Sequence, residues 1–210
     1  MRRFFRDATY FLKASIALNA VLAVGKLVAG ILTFSIFMCF HAFYNVGMGM
    51  AKYFILAGIK RSASRSEEYE VFRTVGIVVL AASLVYALYS VRLFIGGQSA
   101  RYPQVAAITI ATVTFTEIVL NIQGSISTKK ADRLMLHANK LVGLASSLVS
   151  LVLTQTAIMS FAHDGDAAFA NGLSGVFFGI CAALIGLYML LYGSLRRHKE
   201  KMSADRYNNR

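Results

Sequence analysis

Polar side chains inside long apolar stretches are the residues of this sequence best placed to do chemistry. His41 and Asn45 stand four residues apart in one stretch, which puts both on one face of a helix. His137 and Asn139 lie in a later stretch. Imidazole and amide groups can bind a borderline metal ion, but a zinc site takes three or four ligands and the nearest acid within a stretch is Glu117. The alternative role of these four side chains is hydrogen bonding between helices.

Two ionisable residues lie near the middle of apolar stretches and are expected to pair. Lys26 and Glu117 fall at compatible depths, and Lys140 is the rival partner for the carboxylate. A charge inside a membrane is costly and points to a function by default. The pair would either fix the register of two helices or form part of an ion or proton pathway. We expect Lys52, closer to the end of its stretch, to extend its ammonium group to the membrane surface.

Motifs of catalysis and cofactor binding are not found in the sequence. It has no glycine-rich phosphate loop, nucleophile elbow, Cys-x-x-Cys or His-Glu-x-x-His pattern. The loop His163-Asp164-Gly165-Asp166 offers hard ligands, but turn formation explains Asp-Gly-Asp without a metal. We therefore expect a protein that is not an enzyme and has no cofactor.

The apolar stretches themselves predict an all-α polytopic membrane protein. Hydrophobic residues make up 57 % of the 210 residues and charged residues 15 %, against roughly 25 % charged in soluble domains. A spanning helix needs about 20 mostly apolar residues. Six stretches meet this length, and we predict one six-helix domain with spans at 11–33, 34–59, 74–95, 104–126, 134–162 and 171–195.

The basic residues predict the orientation of these spans. Of the 22 Lys and Arg residues, 17 fall in the N-terminal segment, the second and fourth connections and the C-terminal tail. Cytoplasmic loops carry the excess of Lys and Arg, so both termini are expected in the cytoplasm, with the cell membrane as the location. The net charge of +12 is thus explained by topology and anionic lipid headgroups, and nucleic acid is not expected as a partner.

Three short motifs stand in these segments: Asn19 with Lys26 and Gly30 in the first, Thr-Phe-Ser at 33–35, and Gly-Leu-Ala-Ser-Ser-Leu at 143–148. Together they resemble motifs in the membrane domain of the cation diffusion facilitators, six-helix metal/proton antiporters. Asn19, Lys26 and Gly30 look like that family's Asn–Lys–Gly pattern in the first helix. The Thr-Phe-Ser run at 33–35 looks like its Thr-Gly-Ser, and Gly-Leu-Ala-Ser-Ser-Leu at 143–148 is similar to its Asp-Ala-Leu-Ser-Ser-Leu. The short first connection and the basic segment before the fifth helix also fit.

The resemblance implies a metal site built from two pairs of ligands, one on the second helix and one on the fifth. Anchored on the motifs above, the equivalent positions hold Tyr44, Met48, Asn139 and Gly143. None of these is a usual zinc ligand. A shifted register would use His41 and Asn45 with His137 and Leu141, which gives two imidazoles, one amide and no carboxylate.

Together these observations predict a divergent transporter with an open substrate, a divalent cation being one candidate. The alternative is a membrane scaffold or accessory subunit that kept the fold and lost the metal site. A third possibility is a carrier for an anion or small molecule, suggested by the intramembrane lysines. About fifteen residues follow the sixth span, so we expect no cytoplasmic metal-binding domain. Membrane lipids and a second copy of the chain are the expected partners.

Overall fold

The computed structural model describes residues 2–61, 64–96, 102–127, 134–162 and 167–208, and within them the chain is all-helical. Its elements in chain order are α1 (Arg2–Leu32), α2 (Ile36–Arg61), α3 (Arg65–Gly96), α4 (Gln104–Ser127), α5 (Leu134–Ala162) and α6 (Ala168–Asn208). The expectation of an all-α protein is therefore confirmed.

Five of the helices have the length and hydropathy needed to cross a membrane, which indicates an integral membrane protein. These candidate spans are Thr9–Leu32, Arg65–Gly96, Gln104–Gln123, Leu134–Ser160 and Ala168–Glu200. Helix α2 is not among them. Its sequence includes His41, Asn45 and Lys52, which lower its hydropathy, and all three side chains are buried in the bundle.

Three helices extend well beyond their predicted apolar spans. α1 begins at Arg2 rather than near residue 11, α3 begins at Arg65 rather than 74, and α6 continues to Asn208 rather than 195. Most of the polar segments 60–73 and 196–210, predicted as a connection and a solvated tail, is therefore helical. Hydropathy identifies only the part of a helix that lipid can surround. Glu, Lys and Arg are good helix formers in water, so these helices continue beyond their apolar spans.

The start of α3 has a sequence signal for this longer helix. Ser64 accepts a hydrogen bond at its Oγ from the backbone N–H of Glu67 at 3.3 Å, as in the Ser-x-x-Glu capping box. Glu67 and Glu68 stand in the first turn, where negative charge is favoured by the helix dipole.

The turn between α1 and α2 is closed by a left-handed residue. Phe34 has φ of 51°, which is rare for a residue other than glycine. The N–H of Ser35 donates to Gly30 O at 2.8 Å and that of Phe34 to Ile31 O at 3.3 Å, the two bonds of a Schellman motif. Ser35 then caps α2, because its Oγ accepts from the N–H of Met38 at 3.3 Å.

Tyr102, just before α4, ties a second connection to this turn. Its hydroxyl lies 3.0 Å from Ser35 Oγ. The tyrosine side chain is buried, and this burial raises the pKa of Tyr102 to about 12. The contact fixes the start of α4 beside the α1–α2 turn.

The helices pack in three pairs: α1 with α2, α4 with α5, and most extensively α3 with α6. Glycines allow the close approach in the last pair. A methyl group added at Gly186 of α6 would lie 2.5 Å from the backbone N of Leu80, and one at Gly76 of α3 would lie 2.6 Å from that of Leu190. Gly175 and Gly179, four residues apart on α6, belong to the same interface.

Helices α2 and α5 join the pairs α1–α2 and α4–α5 along an antiparallel contact. Tyr44 OH donates to Ala145 O at 3.0 Å, while a methyl group at Gly58 would lie 3.1 Å from Met135 Sδ. Residue numbers that rise on α2 and fall on α5 give the antiparallel direction. The apolar core follows this contact, with α2 and α5 contributing Met48, Ala51, Ile55, Val142, Val149 and Val152.

Candidate functional site: a buried polar column

Lys26 and Glu117 form the ion pair expected from the sequence. Lys26 lies on the face of α1 that also buries Asn19, Leu22 and Ala23. Its Nζ donates to Glu117 Oε2 at 3.0 Å, with the two side chains 5 % and 2 % exposed. Lys140, the rival partner, lies half-buried on α5. The pair joins α1 to α4, two helices that do not pack closely against each other in the described part of the chain.

The second oxygen of the carboxylate is also occupied. Ser146 on α5 donates from its Oγ to Glu117 Oε1 at 3.1 Å, and the serine is fully buried. Glu117 therefore has one charged and one neutral donor, from two different helices. Satisfying both oxygens is what makes a buried carboxylate tolerable.

Lys52 enters the same region from α2, and the expectation that it reaches the membrane surface is wrong. The side chain is 1 % exposed. Its Nζ donates to Ser15 Oγ on α1 at 2.7 Å and to Asn121 Oδ1 on α4 at 3.1 Å. Hydrogen-bond acceptors within reach inside the bundle thus take the place of solvent.

These residues form one continuous feature, which we call the buried polar column. Asn121 follows Glu117 by four residues, so both lie on one face of α4 and connect the two lysines. With two lysines and one glutamate, the column has a formal net charge of +1. Its members are Ser15, Lys26, Lys52, Glu117, Asn121 and Ser146.

His41 does not belong to the column and instead lies in an aromatic cluster. Its Nε2 is 3.3 Å from Tyr86 OH on α3, and the ring packs edge-on against Phe37 at 4.6 Å between centroids. Asn45, one turn along α2, is 2 % exposed, and its Nδ2 has no hydrogen-bond partner in the described part of the structure.

His137 lies far from His41, so the proposed four-residue site does not assemble. His137 is exposed and stacks on Phe72 of α3 with ring centroids 6.2 Å apart. It stands two residues from Met135, which is level with Gly58 on α2. His137 and His41 are therefore separated by roughly fifteen residues of helix, or about 20 Å along the bundle.

The positions that the family resemblance assigns to metal ligands lie in the α2–α5 contact but form no metal site. The Tyr44 hydroxyl already donates a hydrogen bond to Ala145 O, and Met48 is fully buried within the apolar core. Gly143 is buried and offers no side chain, while Asn139 is half-buried, its Oδ1 enclosed and without a partner among the described residues. None of the four positions supplies a carboxylate.

The described residues contain no group of three or more His, Cys, Asp or Glu side chains that could hold a metal ion. The loop His163-Asp164-Gly165-Asp166 lies outside the described residues.

Sequence reasoning found the ion pair but missed the rest of the column. Spacing carries the missing signal on α1, where Ser15, Asn19 and Lys26 recur at four and seven residues. Glu117 and Asn121 repeat at four. Reading polar residues by helix face rather than by depth would have placed Lys52 opposite these groups.

No known family model matches the chain, and no curated protein matches it.

Proposed function

We propose that the chain is a divergent membrane transporter whose six helices all cross the bilayer in an arrangement similar to that of the cation diffusion facilitators. Helix α2 has 26 residues, or about 39 Å, which exceeds the roughly 30 Å hydrocarbon thickness. The distribution of Lys and Arg supports cytoplasmic termini in the cell membrane. Lipids, and a second copy of the chain, are the partners we propose for the exposed apolar surface, which includes Val21, Phe34, Leu88 and Phe115.

The observation that carries this proposal is the charged link between two helix pairs. Lys26 and Lys52 reach from α1 and α2 to Glu117 and Asn121 on α4, while α1 and α4 lack close packing in the described chain. Contacts made by side chains across such a boundary can break and re-form when one helix pair tilts against the other. Rocking of this kind around a central polar site is how many carriers expose a substrate to each side in turn.

The net charge of the column favours an anionic substrate over a divalent cation. Two ammonium groups and one carboxylate attract a small anion, such as a carboxylate, and repel a second cation. At the α2–α5 positions, Tyr44 and Met48 leave a metal without compensating charge. We therefore propose that the substrate binds at the column and that zinc is not transported at the family's usual position.

One backbone feature supports the resemblance itself. Phe34, at φ of 51°, stands where the Thr-Gly-Ser pattern of the cation diffusion facilitators has its glycine. Glycine adopts this conformation at little cost, so the turn keeps a shape suited to the family's residue.

A non-transporting scaffold is the second candidate, and the apolar α2–α5 contact favours it. Met48, Val142 and Val149 are at most 1 % exposed, which is the packing expected of a bundle that does not open.

Water access to the column separates the two candidates. In a background without the native cysteines, Ser146→Cys and Val149→Cys place a thiol at two positions on α5 that are 0 % and 1 % exposed. A transporter that opens exposes the first thiol, beside Glu117, to a membrane-impermeant methanethiosulfonate, and leaves the second unreactive. If both thiols are equally inert in proteoliposomes, the scaffold is the better description.

Zinc titration tests the statement about metal. We expect purified protein in detergent to bind zinc no tighter than roughly micromolar, equivalent to about 8 kcal/mol. Replacing His41 and His137 with alanine should change this affinity little, because the two rings lie in different parts of the bundle. Submicromolar binding that disappears in the double variant, together with proton-coupled zinc flux, would contradict the proposal.

A further inference from the structure

Lys52 is the most unusual buried group in the described structure, because its ammonium contacts only neutral oxygens. Ser15 Oγ and Asn121 Oδ1 lie 2.7 and 3.1 Å from Nζ. A charged side chain inside a membrane normally pairs with an opposite charge. Glu117, the nearest acid along α4, already has Lys26 on one oxygen and Ser146 on the other.

The surroundings of Lys52 have the chemistry of a site for a monovalent metal cation. Hydroxyl and amide oxygens are the ligands that potassium and sodium take in proteins, and potassium filters use neutral carbonyl oxygens alone. A hydrogen-bonded ammonium and a potassium ion sit at similar distances from such oxygens. The Lys52 side chain thus places its positive charge between Ser15 Oγ and Asn121 Oδ1, where a sodium or potassium ion could bind.

A further oxygen stands one helical turn away. Asn19 is 2 % exposed, its Nδ2 donates to Ser15 O at 2.8 Å, and its Oδ1 has no partner among the described residues. The residue packs against α2 three positions before Lys52, since a methyl group at Gly49 would lie 3.5 Å from Asn19 Cβ. This buried acceptor lies on the same face of α1 as Ser15, one turn further along the helix.

The Lys26–Glu117 pair is neutral by itself. The extra positive charge of the column is therefore the one that the Ser15 and Asn121 oxygens hold. We propose that the Lys52 ammonium is a tethered cation that occupies an oxygen-lined monovalent cation site, so that the native protein needs no sodium or potassium there. This assignment does not depend on whether the protein transports anything.

A pair of matched variants tests the site. Lys52→Ala removes the ammonium and opens space, whereas Lys52→Met removes the charge but fills most of the same space. Thermal unfolding in detergent is followed in choline chloride, then in sodium or potassium chloride at equal ionic strength. We expect a rise in Tm of about 4 °C for Lys52→Ala in one of the metal salts, as for a ligand present at about ten times its Kd. Wild type and Lys52→Met should show no specific rise.

Further variants guard against general salt effects and poor folding. Adding Asn121→Leu to Lys52→Ala should abolish the rise in Tm, and methylammonium should reproduce it in Lys52→Ala alone. If Lys52→Ala cannot be purified, Asn121→Leu is made alone and together with Lys52→Met. The proposal expects Asn121→Leu to lower the Tm strongly with the lysine present and weakly with methionine.

Three results would overturn the assignment. They are a Tm of Lys52→Ala that is the same in choline, sodium and potassium, an equal cation response in Lys52→Met, or equal effects of Asn121→Leu with and without the lysine. None of these depends on a flux measurement, so a failed transport assay would leave the result intact.

Discussion

The ion pair between Lys26 and Glu117 should be coupled strongly enough to measure in a double-mutant cycle. The Lys26 side chain is only 5 % exposed. Glu117→Gln keeps an oxygen that can accept its hydrogen bond but removes the carboxylate that balances its charge. Removing one partner of a buried ion pair destabilises a protein by about 3–5 kcal/mol. Because the glutamine can still accept a hydrogen bond, we expect Glu117→Gln to destabilise by about 3 kcal/mol, the lower end of this range. Lys26→Met should cost about 2 kcal/mol, because the carboxylate keeps its hydrogen bond from Ser146.

The double variant removes both unpaired charges and should be destabilised by only about 2 kcal/mol, so the coupling energy is about 3 kcal/mol. The assay is reversible unfolding of the four proteins in mixed micelles with increasing sodium dodecyl sulfate. Lys140→Met provides the matched control, since it removes a half-buried lysine on α5. Its effect should add to that of Glu117→Gln within about 0.5 kcal/mol. A Lys26 cycle that is equally additive would refute the energetic importance of the pair.

Three further predictions follow from packing, backbone strain and topology. Gly186→Ala should destabilise the protein by about 1–3 kcal/mol, because the added methyl group meets the Leu80 backbone. Gly25→Ala is the control, since nothing lies within 4 Å of its methyl group, and it should be neutral or stabilising. Unfolding of the two variants in detergent measures the difference. Phe34→Gly should raise the unfolding free energy by about 1 kcal/mol, since glycine accepts the left-handed conformation, and an unchanged or lower value would count against strain in this turn. Asp164 and Lys129, both outside the described residues, test the proposed orientation. A cysteine at position 164 should be labelled from outside the cell, and one at position 129 only after permeabilisation. The reverse pattern would invert the topology.

The sequence was sufficient for the helical class and for one of the column's contacts. Apolar length alone gave the number of helices, and depth alone matched Lys26 to Glu117. Depth failed for Lys52 because the distance of a residue from a helix end does not say which face it occupies. It lies on the face of α2 that meets Ser15, so it is buried although it was expected at the surface.

The partners of His41 and His137 could not be predicted for a different reason. Tyr86 and Phe72, which contact the two rings, are both on α3, a helix whose charged residues lie only near its two ends. Local sequence reports the polarity of a side chain but not which of several aromatic neighbours the tertiary packing brings to it. Only the packing of α2 and α5 against α3 determines these contacts.

The buried charges favour a working site over a passive helix contact for an energetic reason. In lipid, helices gain little from burying apolar surface against each other, so a polar bond is a useful way to join α1 to α4. The Lys26–Glu117 pair would be enough for that purpose, and it is electrically neutral. Lys52 adds a charge whose burial is costly, and an apolar side chain of similar size would hold the same space without that cost. A scaffold has no need of this extra charge, whereas the anion carrier that we propose does.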